Sequence, residues 1–303
     1  MKAPVRWQKP LPLRPQDTVH VIAPAGPFDR PGFEAGLAII RQRYTPVHRP
    51  DLFESHRYLA GDDERRQDEF SGALMDFQAR ALFCARGGYG TMRLLPELPL
   101  ADAAPSVLVG FSDITAVHLA LQALGRVSIH GPVLTQLGRQ SSDVHERLFR
   151  LLESPEPAPP LTGTATYVPG TAEGPLIGGN LSLFASLLGT PYLPSLDGAV
   201  LLLEDIGERP YRVDRMWTHL RLAGVFERVS GIVLGDFTDC DEKNAAYNSA
   251  DVLRSLAQEA GVPCAAGFPI GHGAVNQPVP LGTTVRLDAG EARLTFLEGA
   301  VRA

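Results

Sequence analysis

The hexapeptide Gly110-Phe111-Ser112-Asp113-Ile114-Thr115 is the sharpest chemical feature of the chain. It joins an apolar run (residues 106–110, SVLVG) to a helical one (residues 113–124, DITAVHLALQAL). A serine at such a turn projects its hydroxyl from the carboxyl end of a sheet, where open α/β folds bind ligands. The first amides of the new helix, that of Asp113 among them, stand close enough to receive an oxyanion. The turn resembles the nucleophile elbow of α/β hydrolases without its second glycine, and Ser, Asp and Thr are equally ordinary helix caps. Arg86-Gly87-Gly88-Tyr89-Gly90 also follows a strand and precedes a helix. Its glycines can present amides in a concave nest, or make a tight turn and nothing more. Arg86 has the planar fork of a carboxylate clamp.

Glu204 and Asp205 end a run of buried aliphatics (residues 198–203, GAVLLL). Either can orient a histidine, or cap the following turn. Two histidines are placed to serve as general base. His272 lies in GFPIGHG (residues 267–273), where flanking glycines clear space for an imidazole to approach a substrate. His130, in SIHGP (residues 128–132), ends a strand in the same half as Ser112. No HExxH or similar metal spacing occurs, so no metal is expected and metal-assisted hydrolysis is disfavoured. Cys84, Cys240 and Cys264 are odd in number, far apart and outside any CxxC pair, which suits a reducing compartment better than a disulfide framework.

These residues need a scaffold, and the first half supplies a legible one. Residues 18–23 (TVHVIA), 81–85 (ALFCA) and 106–110 read as buried strands. Residues 33–44, 64–74 and 113–124 read as helices. Strand, turn and helix in alternation predict an α/β fold with a parallel sheet covered on both faces. Residues 154–174, rich in Pro, Thr and Gly, read as a semi-rigid connector. The expected organisation is an N-terminal α/β domain over 1–155, a linker over 156–175 and a C-terminal domain over 176–303. In the latter, Gly178-Gly179-Asn180 opens a helix through residue 188, and residues 284–297 form a closing hairpin.

The composition removes several function classes. With 303 residues, 44% of them hydrophobic, the chain can bury the cores of two domains. A net charge of −6 without a basic stripe argues against a nucleic-acid partner. The N-terminal residues carry charges and four prolines where a signal peptide would need an unbroken apolar stretch. No apolar run approaches the roughly 20 residues that span a bilayer. A soluble, cytoplasmic protein without membrane contact is expected.

Taken in order, VIAPAGP, CARGGYGTMRLLP, GFSDITAVHLAL, HGPV, GGNLSLFASLLGTPYLPSLDGAVLLLEDIGERPYRVDRMWTHL, GIVLGDF, GFPIGHG and PLG resemble the LD-carboxypeptidases, or muramoyltetrapeptide carboxypeptidases, through nearly the whole chain. The resemblance implies a glutamine-amidotransferase-like N-terminal domain, a smaller swivelling β/β/α C-terminal domain and an active site in the cleft between them. It implies a Ser-Glu-His triad, carried by Ser112 of GFSD, Glu204 of LLEDIGE and His272 of GFPIGHG. The implied reaction is release of the terminal D-alanine from murein tetrapeptide in cell-wall recycling, through an acyl-enzyme on Ser112, by a cofactor-free homodimer. The oxyanion hole then falls to the amides of Asp113 and of Gly87 or Gly88. Arg86 is assigned the substrate carboxylate from its chemistry and not from the family pattern.

Two other readings remain. The same family includes microcin-immunity hydrolases that cleave peptidyl- or aminoacyl-nucleotides, and these would be expected to add an aromatic that stacks on the base. Trp217 lies inside a predicted helix and Trp7 in the N-terminal arm, so no platform is evident and this reading ranks second. A catalytically silent binding protein is the alternative from another class, against which the intact Ser112, Glu204 and His272 argue.

Overall fold

Continuous burial rather than alternation marks the strands of the first half. Every residue of β3 (Ala81–Cys84) and β4 (Val107–Gly110) is buried, as a sheet covered on both faces requires. The structure is a computed structural model and describes residues 7–303. Residues 1–6, part of the arm examined for a signal peptide, lie outside the described residues.

Ahead of β3 come β1 (Thr18–Ile22), α1 (Arg30–Ile40), β2 (Thr45–Val47) and α2 (Asp63–Leu74). After it come α3 (Thr91–Leu94), β4, α4 (Thr115–Ala123), β5 (Ser128–His130), α5 (Leu134–Leu137) and α6 (Ser142–Glu153). The helix starts are written locally. The Asp29 carboxylate accepts from the Gly32 amide at α1, and that of Asp62 from the Arg65 amide at α2. Asp63 and Glu64 in the first turn of α2 add favourable charge at the positive end of its dipole. The strands line up as β5-β4-β3-β1-β2, all parallel. This is the α/β class expected from the strand–helix alternation.

The second half supplies β6 (Leu161–Thr162), β7 (Ala165–Val168), β8 (Thr171–Asn180), α7 (Leu181–Ser186), β9 (Val200–Ile206), α8 (Pro210–Leu222), β10 (Gly231–Thr238), α9 (Ser249–Ala260) and β11 (Cys264–Ala266). The chain ends with β12 (Val279–Leu281), β13 (Thr284–Asp288) and β14 (Arg293–Phe296). A second sheet has the order β6-β14-β13-β8-β9-β10-β11-β7, parallel from β8 to β11 and antiparallel outside. Among the described residues no helix is long and apolar enough to cross a membrane.

Three details differ from the sequence reading. Residues 156–175 are not a free connector: they contain β6, β7 and the start of β8. β6 and β7 are the two edges of the second sheet, the positions where nearby prolines cost no ladder hydrogen bond. Gly178-Gly179-Asn180 ends β8 instead of opening a helix, and Asn180 caps α7 through a bond from the Leu183 amide. Finally, 176–303 does not stay in the second unit. β12 crosses back and pairs antiparallel with β5, setting Val279 opposite His130.

The two halves share apolar cores. Ile114, Val117 and Leu121 from the first pack in one cluster with Ile177, Leu201 and Leu234 from the second. One close approach is at Gly179, which has φ +141° and sits opposite Leu203 in register. A β-carbon there would fall 2.6 Å from Thr115 Oγ1, the oxygen that accepts the Asn180 amide at 3.0 Å. The next pair in register is Asn180 with Glu204, so this contact sets the distance between α4 and the end of β9. Gly179→Ala should lower unfolding free energy by about 2–4 kcal/mol, from backbone strain plus overpacking. Gly72→Ala, at an open position within α2, should instead raise it by about 0.5–1 kcal/mol. Denaturant unfolding of both variants checks the contrast.

Candidate active site

β4 delivers Ser112 to the carboxyl edge of the first sheet. Phe111 is still extended, and Ser112 then turns into the left-handed region at φ +64°. For a non-glycine residue that conformation costs about 1–3 kcal/mol and persists only where its surroundings enforce it. Here the following turn is clamped: the Asp113 carboxylate accepts from the Thr91 amide (2.9 Å), and the Thr91 hydroxyl donates to the Asp113 carbonyl (2.6 Å). Burial pushes the Asp113 carboxyl above its ordinary range, against the pull of the Thr91 donors. The Ser112 hydroxyl does not cap the helix; it meets an imidazole.

That imidazole is His272. Its Nε2 lies 3.0 Å from Ser112 Oγ and its Nδ1 lies 2.6 Å from Glu204 Oε2. An Nδ1–H donated to the carboxylate leaves Nε2 free to accept the serine proton. Glu204 is fully buried at the end of β9, whereas His272 keeps 10% of its side chain exposed. Burial alone would raise the Glu204 carboxyl, but His130 and His272 together pull it below its ordinary value. Neighbouring strand residues face opposite ways, which separates Glu204 from Asp205. Asp205 accepts from Asn180 Nδ2, from the Ser182 amide and hydroxyl and from the Ile206 amide, so it anchors the start of α7.

The glycines around His272 make room for acids rather than for a substrate. A β-carbon on Gly271 (φ +118°) would fall 2.5 Å from Glu204 Oε2, and one on Gly273 would fall 2.3 Å from Asp236 Oδ2. Asp236, on β10, is a second carboxylate beside the imidazole that the sequence reading missed. Its only local signal is a strand-end position in GIVLGDF. The His272 loop is fastened elsewhere too: the Gly271 amide donates to Asn276 Oδ1, and the Asn276 amide to Gln140 Oε1, each at 3.0 Å. Asn276 and Gln140 lie outside every motif that the sequence offered.

The remaining expected residues fall at different distances from this centre. Gly87 lies directly against the serine, its β-carbon position 2.9 Å from Ser112 Cβ, while Gly88 packs on Gly26. Arg86 is exposed, and its guanidinium donates to the Pro27 carbonyl, which uses one of five donors. His130 is buried behind Phe111 and does not take the Ser112 hydroxyl. Trp217 is a core residue against Phe226, with ring centroids 4.8 Å apart. Among the described residues no group of three or more His, Cys, Asp or Glu could hold a metal ion.

Comparison with known proteins converges on one group. A family model described as the LD-carboxypeptidase N-terminal domain matches residues 19–131, and one described as the LD-carboxypeptidase C-terminal domain matches residues 173–287. The murein tetrapeptide carboxypeptidase of Pseudomonas aeruginosa is 35% identical over 289 residues, covering 91% of this chain and 94% of its own length. The crystal structure of the muramoyltetrapeptide carboxypeptidase from Oxalobacter formigenes aligns with a TM-score of 0.84 at 28% identity, covering 94% of this chain and 100% of that one. The microcin C7 self immunity protein MccF, in complex with aspartyl sulfamoyl adenosine, aligns with a TM-score of 0.87 over 97% of this chain and 99% of its own. At 22% identity that last likeness is one of fold.

Burial pushes the Asp236 carboxyl up to about 6; the Gly273 amide and His272 partly offset this and the charge of Glu204 adds to it. A carboxyl raised in the folded state favours folding below its unfolded value near 3.8 and loses that contribution as pH rises through about 6. Asp236→Asn should therefore stabilise the protein by about 1–2 kcal/mol at pH 8, after discounting for partial exposure, and hardly at all at pH 4. Unfolding midpoints of the two proteins at both pH values test this; a difference independent of pH would remove the effect.

Proposed function

Because the chain belongs to the LD-carboxypeptidase family, we propose that it is a serine carboxypeptidase that releases the terminal D-alanine from murein tetrapeptide. The observation that carries this reading is the unbroken chain from Ser112 Oγ through the His272 imidazole to Glu204, at 3.0 and 2.6 Å. Its members come from the turn after β4, from β9 and from the loop between β11 and β12, and meet at a strained serine, the arrangement expected of an activated nucleophile.

In this mechanism His272 Nε2 takes the Ser112 proton as Oγ bonds to the scissile carbonyl carbon. Glu204 holds the imidazole tautomer and stabilises the imidazolium. The amides of Asp113 and of Gly87 or Gly88 receive the oxyanion. Collapse breaks the C–N bond, and His272 returns its proton to the departing D-alanine amine. Water, deprotonated by His272, then attacks the ester and releases the shortened peptide with Ser112 restored. Arg86 binds the D-alanine carboxylate through its remaining donors. No step calls for a cofactor. The enzyme works in the cytoplasm as a homodimer, on recycled wall fragments.

Incubation with murein tetrapeptide should yield free D-alanine and the tripeptide, while an aspartyl-sulfamoyl-adenosine analogue should remain intact. Cleavage of the analogue alone would transfer the reading to nucleotide substrates. Ser112→Ala, Glu204→Ala and His272→Ala should each reduce kcat by on the order of 10³-fold or more, with double variants scarcely worse than the singles. Full turnover by Ser112→Ala would end the serine assignment.

A further inference from the structure

Glu204 has no exposed surface, and only one of its oxygens is satisfied. Oε2 accepts from His272, whereas Oε1 has no hydrogen-bond partner among the described residues. Facing Oε1 is Nε2 of His130 at 3.9 Å, from a side chain that is likewise fully buried. Neither ring nitrogen of His130 has a hydrogen-bond partner among the described residues. A buried acceptor without a donor and a buried donor without an acceptor are each unfavourable, and here the two confront one another. Their separation exceeds a hydrogen bond by about 1 Å, within reach of a small closing movement.

The surroundings aim His130 at this contact. It ends β5, held by Gly110 of β4 on one side and Val279 of β12 on the other. The Phe111 ring packs against both imidazoles, with centroids 4.7 Å from His272 and 5.7 Å from His130. Behind His130 stands His118, at 6.5 Å. Both His118 nitrogens are engaged, at 2.8 Å each: Nε2–H donates to the Gly110 carbonyl and Nδ1 accepts from Ser128 Oγ. Burial lowers His118 to about 3, so it stays neutral and does not compete for a proton.

We propose that His130 is a positioning residue of the reaction, whose ring donates Nε2–H to Glu204 Oε1 and holds the carboxylate aimed between two imidazoles. This rests on the assignment of Ser112, His272 and Glu204 as the reacting set. A donor on Oε1 lowers the affinity of the whole Glu204–His272 pair for a proton, so its loss makes the pair hold that proton to higher pH. The other ionisable groups near the pair are Asp236 on β10, Asp205 on β9 and His118 on α4; of these only His118 feels His130, which adds to the effect of burial in keeping it neutral.

The test compares His130→Phe, which keeps the ring volume, with His130→Gln, which keeps an N–H donor. In His130→Phe the acid limb of kcat/KM for murein tetrapeptide should move up by about 0.5–1 pH unit. Its kcat should fall about 10–100-fold at nearly constant KM, the rate equivalent of one charge-assisted hydrogen bond. His130→Gln should return the limb to its wild-type position and recover most of kcat. In parallel, the His272 imidazole is titrated by ¹⁵N NMR in the full chain without substrate, and should shift upward in His130→Phe alone. An unmoved titration and limb in folded His130→Phe, or a Gln variant as impaired as the Phe variant, overturns the proposal. Should His130→Phe fail to fold, His130→Asn replaces it, its amide being too short to reach Oε1. If the wild type leaves murein tetrapeptide intact, the substrate reading fails while the NMR titration still decides the role of His130.

Discussion

Taking a carboxylate out of water costs several kcal/mol even after relaxation, and the cost is recovered only where donors meet it in good geometry. Glu204 is such a group, fully buried at the end of β9, with one bond of 2.6 Å to offset the loss. Much of the local architecture follows from supplying that bond. The donor ring has to arrive from a loop with glycine at 271, because any side chain there would collide with Oε2. The loop has to be pinned, which Asn276 and Gln140 accomplish through backbone amides. The helix that follows Ser112 has to lie close to β8, which the bare Gly179 permits. Each is a packing demand imposed by one ionised group that cannot reach solvent.

The strain at Ser112 is sustained by a different set of contacts. Ser112 holds a left-handed conformation because β4 and α4 are fixed on either side and Thr91 clamps Asp113, the residue that follows it. A strained turn held this firmly does not relax when the hydroxyl loses its proton. Ser112 therefore depends on a rigid local frame, and His272 on a long-range one.

That division accounts for what could be read from the amino-acid string. The strand–Ser112–helix unit is local, encoded within a dozen residues, and was legible as such. Choosing Glu204 over Asp205 needs the side on which β9 is covered, and choosing His272 over His130 needs the packing of two sheets. Those choices came from the ordered family blocks and not from the residues alone. The Gly271 and Gly273 pattern was noticed, but its purpose is space for Glu204 and Asp236, neighbours that sequence distance conceals. The Pro-rich stretch after α6 looked like a tether because proline is a poor strand former. It is used here at sheet edges, where that deficit does not matter. β12 has only three residues, too few for any periodicity to announce that it joins the distant sheet.

β12 also has a meaning in time. The chain lays down the first sheet through β5, builds most of the second, and returns at residues 279–281 to cover the β5 edge before leaving again for β13. A chain emerging from the ribosome thus presents Ser112 long before His272 or the strand that seals its sheet has been made. During that interval Ser112 lacks its imidazole neighbour, and the β5 edge is open to other strands, a period when chaperone protection is most valuable. Pairings this distant in sequence also predict slow folding. In the proposed mechanism the reacting set is thus incomplete throughout synthesis, and Ser112, His272 and Glu204 come together only as one of the last events of assembly.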